Sequence, residues 1–493
     1  MKWIKNNYWL LIILIAFLFV SYFHLGRDLL YDWDEGIYGE IAREIKFPFL
    51  QLSWNGDPWF EKPFLVPLLA SLSFTLLGVS EFAARFFMPI FGVLAIFFTY
   101  KLAEKYCSKK NGLFSAVFFF FASLFLSRSR GLNTDIILLF SLTSSLFYFK
   151  NIEDKIEKGN KIKLTDCLLI AFLISIGILA KGVMGFLPVV IWGTYLLFFR
   201  RDLIFSHLIK IWLIIGGLVV LFVVPWHIYM TLCFGRQFWN VYLIEQVLRR
   251  AYQPIEYHFG GRLYYLKFLW EEFRWKLVFP VFGGIYLVWD SLREKKIDKG
   301  LSFLIVWGLL VFFLFTFSKT KLFWYILPLY PVLAIFFGVF WTKVIFIKNE
   351  ILITLIFLAM IMWGVKNGLS QAGLNSERVI NPKNKLAIEA SSSCYAPLLF
   401  LVDKNERQAR DILPVNLKLS SSFSYGGAPS VVFYYKNKVD FFYDVDKFFS
   451  SFSRSKDGDC AMISTADYQL LGLKDSLESK IVKKEDQWLL IRK

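Results

Sequence analysis

The apolar run YWLLIILIAFLFVSYFHL, residues 8–25, leads directly into Tyr31-Asp32-Trp33-Asp34-Glu35-Gly36, and these two stretches decide how the chain is read. A bilayer crossing takes about 20 apolar residues. Lys2 and Lys5 precede the run and mark its start as cytoplasmic. It is too long for a removed signal peptide and lacks a small-residue cleavage site. The three carboxylates after it therefore emerge on the outer face. Ionisable groups at a membrane boundary are costly and are kept for sites. Arg43, Glu61-Lys62-Pro63 and Arg85 follow before the chain crosses again. Acids and bases gathered on the outer surface of a membrane protein point to chemistry on a lipid-linked substrate.

Composition gives the class. Apolar residues make up 56% of the chain, 55 residues are Phe, and long apolar runs alternate with short charged loops. With a mean hydropathy of +0.50, this is a polytopic α-helical membrane protein. The net charge of +17 follows from basic cytoplasmic loops lying against anionic headgroups, so no nucleic-acid partner is expected. Cys107, Cys167, Cys233, Cys394 and Cys460 show no metal-binding spacing.

Lys and Arg placement sets the topology. Arg85–Glu104, entering the membrane at about Phe86, ends in the basic loop 105–110, so Pro63–Gly78 must lie on or re-enter the membrane from outside. The runs then alternate through Gly112–Ser127, Asp135–Phe149, Asp166–Ala180, Gly182–Phe199 and His207–Pro225. A long outer loop, 226–275, precedes Lys276–Leu292, Gly300–Phe317, Leu322–Trp341 and Ile351–Val365. About 11 to 13 transmembrane helices are expected. The division is a membrane domain over 1–365, with outer loops 26–85 and 226–275, and a small α/β domain over 366–493 outside the membrane. In that tail the apolar runs shorten to strand length, as in Pro429–Tyr435 and Trp488–Ile491. Cys394 and Cys460 share its oxidising compartment and are candidates to pair.

Under this topology Asp34, Glu35, Glu61, Lys62, Arg128, Asp135, Arg249, His258 and Lys321 all reach the outer side, and Lys181 stands alone between two apolar runs. Outer cations run against the positive-inside tendency and call for a partner. Phosphate fits, because Lys and Arg hold phosphoryl oxygens through charge-assisted hydrogen bonds. A departing lipid phosphate needs such a clamp as negative charge grows on its oxygen.

The string Asp34-Glu35-Gly36-Ile37-Tyr38-Gly39-Glu40-Ile41-Ala42-Arg43-Glu44 resembles the first-loop signature of bacterial GT-C glycosyltransferases related to the lipid A aminoarabinose transferases and, more remotely, the protein O-mannosyltransferases. The resemblance continues through Trp59–Pro63, Gly78–Arg85, Asn133-Thr134-Asp135, Ala180-Lys181-Gly182, Pro225-Trp226, Glu245 with Arg249, His258-Phe259, Ser318–Leu322, Tyr325–Pro328 and Tyr425–Tyr435. It implies transfer of a sugar from a polyprenyl-phosphate carrier to a lipid acceptor, lipid A or another glycolipid, at the periplasmic face of the inner membrane. The N-terminus would then be cytoplasmic and the tail periplasmic. Asp34 becomes the carboxylate that activates or orients the acceptor, with Glu35 and Asp135 beside it. Glu61, Lys62, Arg128, Lys181, Arg249, His258 and Lys321 become the substrate- and phosphate-binding set. Gln246 stands where the aminoarabinose transferases tend to have histidine, which leaves the sugar open.

No cofactor is required on this reading. A divalent metal is not expected, because no further ligands flank Asp32 and Asp34. The competing readings are a transporter or flippase of a lipid-linked sugar, which would bring inverted repeats and midplane charges, and an enzyme acting on protein in the manner of the O-mannosyltransferases.

Overall fold

The computed structural model describes residues 7–45, 50–203, 208–295, 298–345, 349–374, 380–394, 397–412, 425–470 and 480–493. Among them, seven helices are long and apolar enough to cross a membrane: Glu81–Tyr106, Asp135–Glu157, Leu164–Phe199, Ile209–Tyr252, Lys299–Phe317, Phe323–Val344 and Glu350–Gln371. Tyr8–Tyr22 and Leu65–Leu77 are shorter apolar helices. The chain is a multi-pass membrane protein. Leu65–Leu77, at 13 residues, falls short of a crossing, as expected for Pro63–Gly78, and it packs on the helix Asp34–Glu44.

Three spans differ from a plain alternation, each for a local reason. The expected span Gly112–Ser127 is a pair of helices, Lys109–Phe121 and Ser123–Arg130, bent by 76°. Ala122 is extended there, and the freed Leu124 N–H donates to the Glu272 carboxylate at 2.8 Å. Leu164–Phe199 folds back on itself at Gly182, whose φ is 60°. A Cβ on Gly185 would come within 2.2 Å of the Ile178 nitrogen, so only glycine lets the two arms close. The helix Ile209–Trp239 runs on through Pro225 and breaks at Gly235, so helix occupies the start of what composition marks as the loop 226–275.

The helix Asp135–Glu157 fixes the two ends of the bundle. Its 23 residues separate its ends by about 33 Å at 1.5 Å per residue. Around its C-terminal end the basic loops form an ion-pair network. Lys150 meets Asp154 at 2.9 Å, Arg200 and Lys299 each meet Glu157 at 2.7 Å, and Lys155 meets Asp166 at 2.7 Å. Around its N-terminal end lies the cavity described below. Between them the core is aromatic, with Trp192 stacked on Phe149 at 4.3 Å.

The first outer segment carries a two-strand ladder, β1 (Ser53–Trp54) against β2 (Asp57–Pro58). The tail builds a five-stranded mixed sheet from β3 (Leu398–Leu401), β4 (Val439–Phe442), β5 (Cys460–Ser464), β6 (Lys480–Glu485) and β7 (Trp488–Arg492), in the order β4-β3-β5-β7-β6. β3 runs parallel to β4 and β5, while β7 is antiparallel to β5 and β6. Trp488–Ile491 is thus a strand, as its pattern predicts. Pro429–Tyr435 is not: Ser430–Tyr435 is a buried helix. Tertiary contacts override its β propensity, because the Asp32 carboxylate caps it, accepting from the Ser430 N–H at 3.2 Å and from the Ser430 hydroxyl.

Cys394 and Cys460 are disulfide-bonded, with Cα atoms 5.9 Å apart, and tie β5 to the end of the helix Pro382–Ser393. The bond closes a loop of 66 residues, and loop-closure entropy assigns such a bond about 4 kcal/mol. Cys394→Ser is expected to lower the melting temperature of the tail and to expose it to protease while the helical part stays protected. Limited proteolysis with and without reductant checks this.

Candidate functional site

The helix Asp34–Glu44 begins immediately after Trp33, a non-glycine residue at φ 69°. That strained turn puts Asp34 at the helix N-terminus, where the macrodipole favours a carboxylate, and at the wall of a cavity of about 930 Å³. Asp34 lies 3.7 Å from Arg128 Nη1. Asp135 pairs with Lys181 and lies 3.8 Å from the same Arg128 atom. Asn133 holds Asp135 in place, its side-chain oxygen accepting from the N–H groups of Asp135 at 2.9 Å and Ile136 at 3.2 Å. Arg128 in turn lies flat over Trp324 at 4.1 Å, and Lys181 faces the Tyr325 ring at 5.3 Å. Desolvation in the cavity, with Asp135 nearby, raises the Asp34 carboxyl above its usual value against the pull of Arg128, Lys181 and Lys62. Its side chain remains 44% exposed, open to the cavity.

Lys62 also lines the cavity and donates to Gln246 Oε1 at 2.8 Å. Burial, reinforced by the Arg250 guanidinium, pulls its ammonium down to about 8. Glu61 beside it accepts from the Tyr425 hydroxyl at 2.7 Å. His258 lines the same space, and burial, with Arg250 adding, lowers its imidazole below the usual value. Asp34, Glu61, Lys62, Arg128, Asp135, Lys181 and His258 therefore share one cavity.

Three expected residues have other work. Glu35 also lines the cavity, but as an anchor: its oxygens accept from Arg85 at 2.8 and 2.6 Å, from Leu132 N at 2.9 Å and from Tyr31 N at 3.0 Å. Burial would raise it, but Arg85 and these donors hold it below the carboxylate range. Lys321 is not in the cavity wall. Its ammonium donates to the carbonyls of Phe315 at 2.7 Å and Thr316 at 2.5 Å, capping the end of Lys299–Phe317. Arg249 meets Glu245 at 3.5 Å outside the cavity lining.

Its neighbour Arg250 takes the position expected of Arg249. It lines the cavity 3.5 Å from Glu256, whose backbone is left-handed at φ 57°. Burial lifts the Glu256 carboxyl to about 7 despite Arg250. The Ser318–Lys321 motif holds this wall. Lys319 N and Thr320 N each donate to the backbone at 3.1 Å, to Ala251 O and Arg250 O, while Lys321 N donates to His258 O at 2.9 Å. The buried Thr320 hydroxyl donates to Gln253 O at 2.7 Å and accepts from Ile255 N at 3.1 Å. Only the fold distinguishes Arg249 from Arg250. Glu256 could have been suspected from the acids and bases crowded into 245–258.

The tail closes the cavity, with Glu406, Arg410, Tyr425, Gly427 and Tyr443 in its wall. Gly36 lets it approach, since a Cβ there would lie 2.7 Å from both the Cα and the nitrogen of Ser430. Among the described residues, no group of three or more His, Cys, Asp or Glu side chains is placed to hold a metal ion.

The sequence profile of the dolichyl-phosphate-mannose-protein mannosyltransferase family matches residues 61–229. An uncharacterised protein of Aquifex aeolicus is 30% identical over 72% of this chain and 78% of its own length. The undecaprenyl phosphate-alpha-4-amino-4-deoxy-L-arabinose arabinosyl transferase of Aeromonas hydrophila is 27% identical over 65% of this chain and 57% of its own. The chain spans about three fifths of the length of the first curated relatives it matches, 62% and 57% in two of them. Among solved structures, ArnT from Cupriavidus metallidurans bound to undecaprenyl phosphate shares the fold with a TM-score of 0.75 over 99% of this chain and 98% of that one, at 18% identity. The archaeal oligosaccharyltransferase AglB of Archaeoglobus fulgidus follows with a TM-score of 0.57 over 89% of this chain and 64% of that one, at 15% identity. Residues 61–229 thus carry the sequence pattern of the dolichyl-phosphate-mannose-protein mannosyltransferase family, and the chain as a whole shares the fold of the Cupriavidus and Archaeoglobus structures.

Two outcomes are expected from this geometry. The Ser430 backbone cannot yield to a side chain at residue 36, so Gly36→Ala should cost about 1–3 kcal/mol through overpacking, read as a lower unfolding temperature and a protease-sensitive tail. Lys62 loses its charge as pH rises through about 8, so the affinity of the cavity for an anionic phosphate ester should fall between pH 7 and 9, with proton uptake on binding at the upper end. Lys62→Ala should bind weakly and with a flatter profile, which calorimetry in two buffers of different ionisation enthalpy would resolve.

Proposed function

We propose that this protein transfers a sugar from a polyprenyl-phosphate carrier to a lipid acceptor, lipid A or another glycolipid, at the periplasmic face of the inner membrane. The observation that carries the reading is the juxtaposition of Asp34 with Arg128, Lys181 and Lys62 in one cavity at the bundle end opposite the basic loops. The N-terminus is then cytoplasmic, the basic loops face the cytoplasm, and residues 366–493 form a periplasmic cover. The named activity of the Aeromonas relative and the carrier phosphate named for the Cupriavidus structure agree with that chemistry.

In the reaction the bond between the anomeric carbon and the carrier phosphate oxygen breaks, and a bond from the acceptor oxygen to that carbon forms. Lys62, Arg128, Lys181 and Arg250 would stabilise the leaving phosphate as its charge grows, in a water-poor site where such interactions are strong. Asp34 would orient the acceptor and take the proton of a hydroxyl acceptor. A phosphate acceptor arrives as an anion and needs only positioning. A flippase gives no role to a carboxylate held open at the cavity wall beside three cations.

Mass spectrometry of lipid A and of the polyprenyl-phosphate pool, in cells with and without the protein, is expected to show a glycosylated product only with it. An unchanged lipid pool would overturn the reading. Asp34→Asn, nearly isosteric, should lower turnover by at least about a hundredfold, the share of a general base, with undecaprenyl phosphate binding retained. Near-normal turnover in a reconstituted assay would remove Asp34 from the mechanism.

A further inference from the structure

The chain of hydrogen bonds from Trp59 through Tyr425 to Glu61 has a fixed direction. An indole N–H can only donate, and Trp59 Nε1 donates to the Tyr425 oxygen at 2.7 Å. The phenol proton must then point elsewhere, and it goes to Glu61 Oε1 at 2.7 Å. Glu61 Oε1 is thereby required to accept. Tyr425 and Trp59 are 3% and 5% exposed, so both bonds are shielded from water and each polarises the other.

What the network leaves open is informative. Among the described residues no Lys, Arg or His lies within ion-pair distance of Glu61, although Lys62 is its neighbour in sequence. The Lys62 ammonium is turned to Gln246. Asp34, Asp135 and Glu256 each have a cation at hand. Glu61 is held by a neutral hydroxyl, and in the cavity wall its second oxygen has no hydrogen-bond partner among the described residues. A side chain so held keeps the acceptor capacity of its second oxygen for a ligand that brings O–H or N–H donors.

Tyr425 is placed by the tail. Gly426 and Gly427 follow it at φ 60° and 64°, a left-handed pair that turns the chain over the cavity. A Cβ on Gly426 would strike the Phe441 ring at 1.9 Å. Trp54 and Trp33 meet the Tyr425 ring edge-on at 4.8 and 6.1 Å. The hydroxyl is thus delivered against the first outer segment by the 425–427 turn, which packs on Phe441 of β4.

We propose that Tyr425 is a positioning residue for the transfer reaction: the C-terminal region reaches into the cavity and, through this hydroxyl, orients Glu61 toward the O–H or N–H donors of the sugar being transferred. The inference rests on the glycosyl-transfer reading above. It makes the tail a component of the sugar site, separate from the phosphate clamp.

The test compares full-length wild type, Tyr425→Phe, Glu61→Gln and the double variant. Each is read for glycolipid product by mass spectrometry of cell membranes, for undecaprenyl phosphate affinity of the purified protein, and for melting temperature. Tyr425→Phe keeps the ring contacts and removes one proton donor, so transfer should fall about tenfold, the cost of one buried hydrogen bond. Undecaprenyl phosphate affinity should stay within about twofold and melting should be unchanged. The double variant should be no worse than Glu61→Gln alone, because the tyrosine acts through that carboxylate. Should Tyr425→Phe lower the melting temperature, Trp59→Phe, which frees the phenol to turn away from Glu61, supplies the same comparison from the other end of the chain. Wild-type transfer in Tyr425→Phe and Trp59→Phe, or losses that multiply in the double variant, would overturn the proposal. A wild-type protein that binds undecaprenyl phosphate and transfers its sugar while these variants behave as wild type sinks this inference alone. A wild type that neither binds nor transfers sinks the functional reading with it.

Discussion

Everything at the cavity end hangs on the buried pair of Glu35 and Arg85. All five guanidinium N–H donors are used: two meet the Glu35 oxygens, and the others meet the carbonyls of Leu25, Asp28 and Leu29. Glu35 spends its remaining acceptor sites on Tyr31 N and Leu132 N. One ion pair thus joins the segment after the helix Tyr8–Tyr22, the helix Asp34–Glu44, the start of the span Glu81–Tyr106 and the Arg128–Asp135 turn. Such a pair need not stabilise the fold against an apolar replacement, but losing one partner leaves a buried charge and costs about 3–5 kcal/mol. Its use here is geometric, since it fixes the segment on which Asp34 sits.

Asp34 and Glu35 are adjacent in sequence and opposite in fate. The helix that starts at Asp34 turns Glu35 inward to Arg85 and leaves Asp34 on the cavity side. Satisfied on every lone pair, Glu35 has no capacity left for a substrate. Asp34 is surrounded by cations at longer range, which offset its desolvation without saturating it. The strained Trp33 backbone is what separates the two, a local cost repaid by the ion pair next door.

The tail is joined to the first outer segment by the same logic of complete satisfaction. Asp32 caps the helix Ser430–Tyr435, Asn381 donates to Asp32 at 2.8 Å, and the Tyr434 hydroxyl accepts from Leu30 N at 2.7 Å and donates to Glu81 at 2.9 Å. The glycines of the first-loop motif serve this contact: a Cβ on Gly36 would collide with Ser430, and one on Gly39 would meet the Leu30 side chain at 2.8 Å. A motif that reads as chemistry is therefore partly packing. Asp34 faces the cavity, and Gly36 and Gly39 admit the roof.

The sequence by itself determined the membrane class and the gathering of acids and bases at one end of the bundle, because apolar run length and Lys/Arg placement answer directly to bilayer thickness and interface charge. It also singled out Asp34, Lys62, Arg128, Asp135 and Lys181, whose isolation between apolar runs is itself a signal. Only the tertiary structure decided which charge goes where. Arg249 and Arg250 differ by one helical step, and that step takes one to Glu245 and the other to the cavity. Lys321 ends a helix because unsatisfied carbonyls lie nearer than the cavity does. Pro429–Tyr435 has a strand's composition and becomes a helix because an aspartate about 400 residues away caps it. Periodicity and propensity are local, whereas caps, ion pairs and close glycine contacts join segments that only the fold brings together.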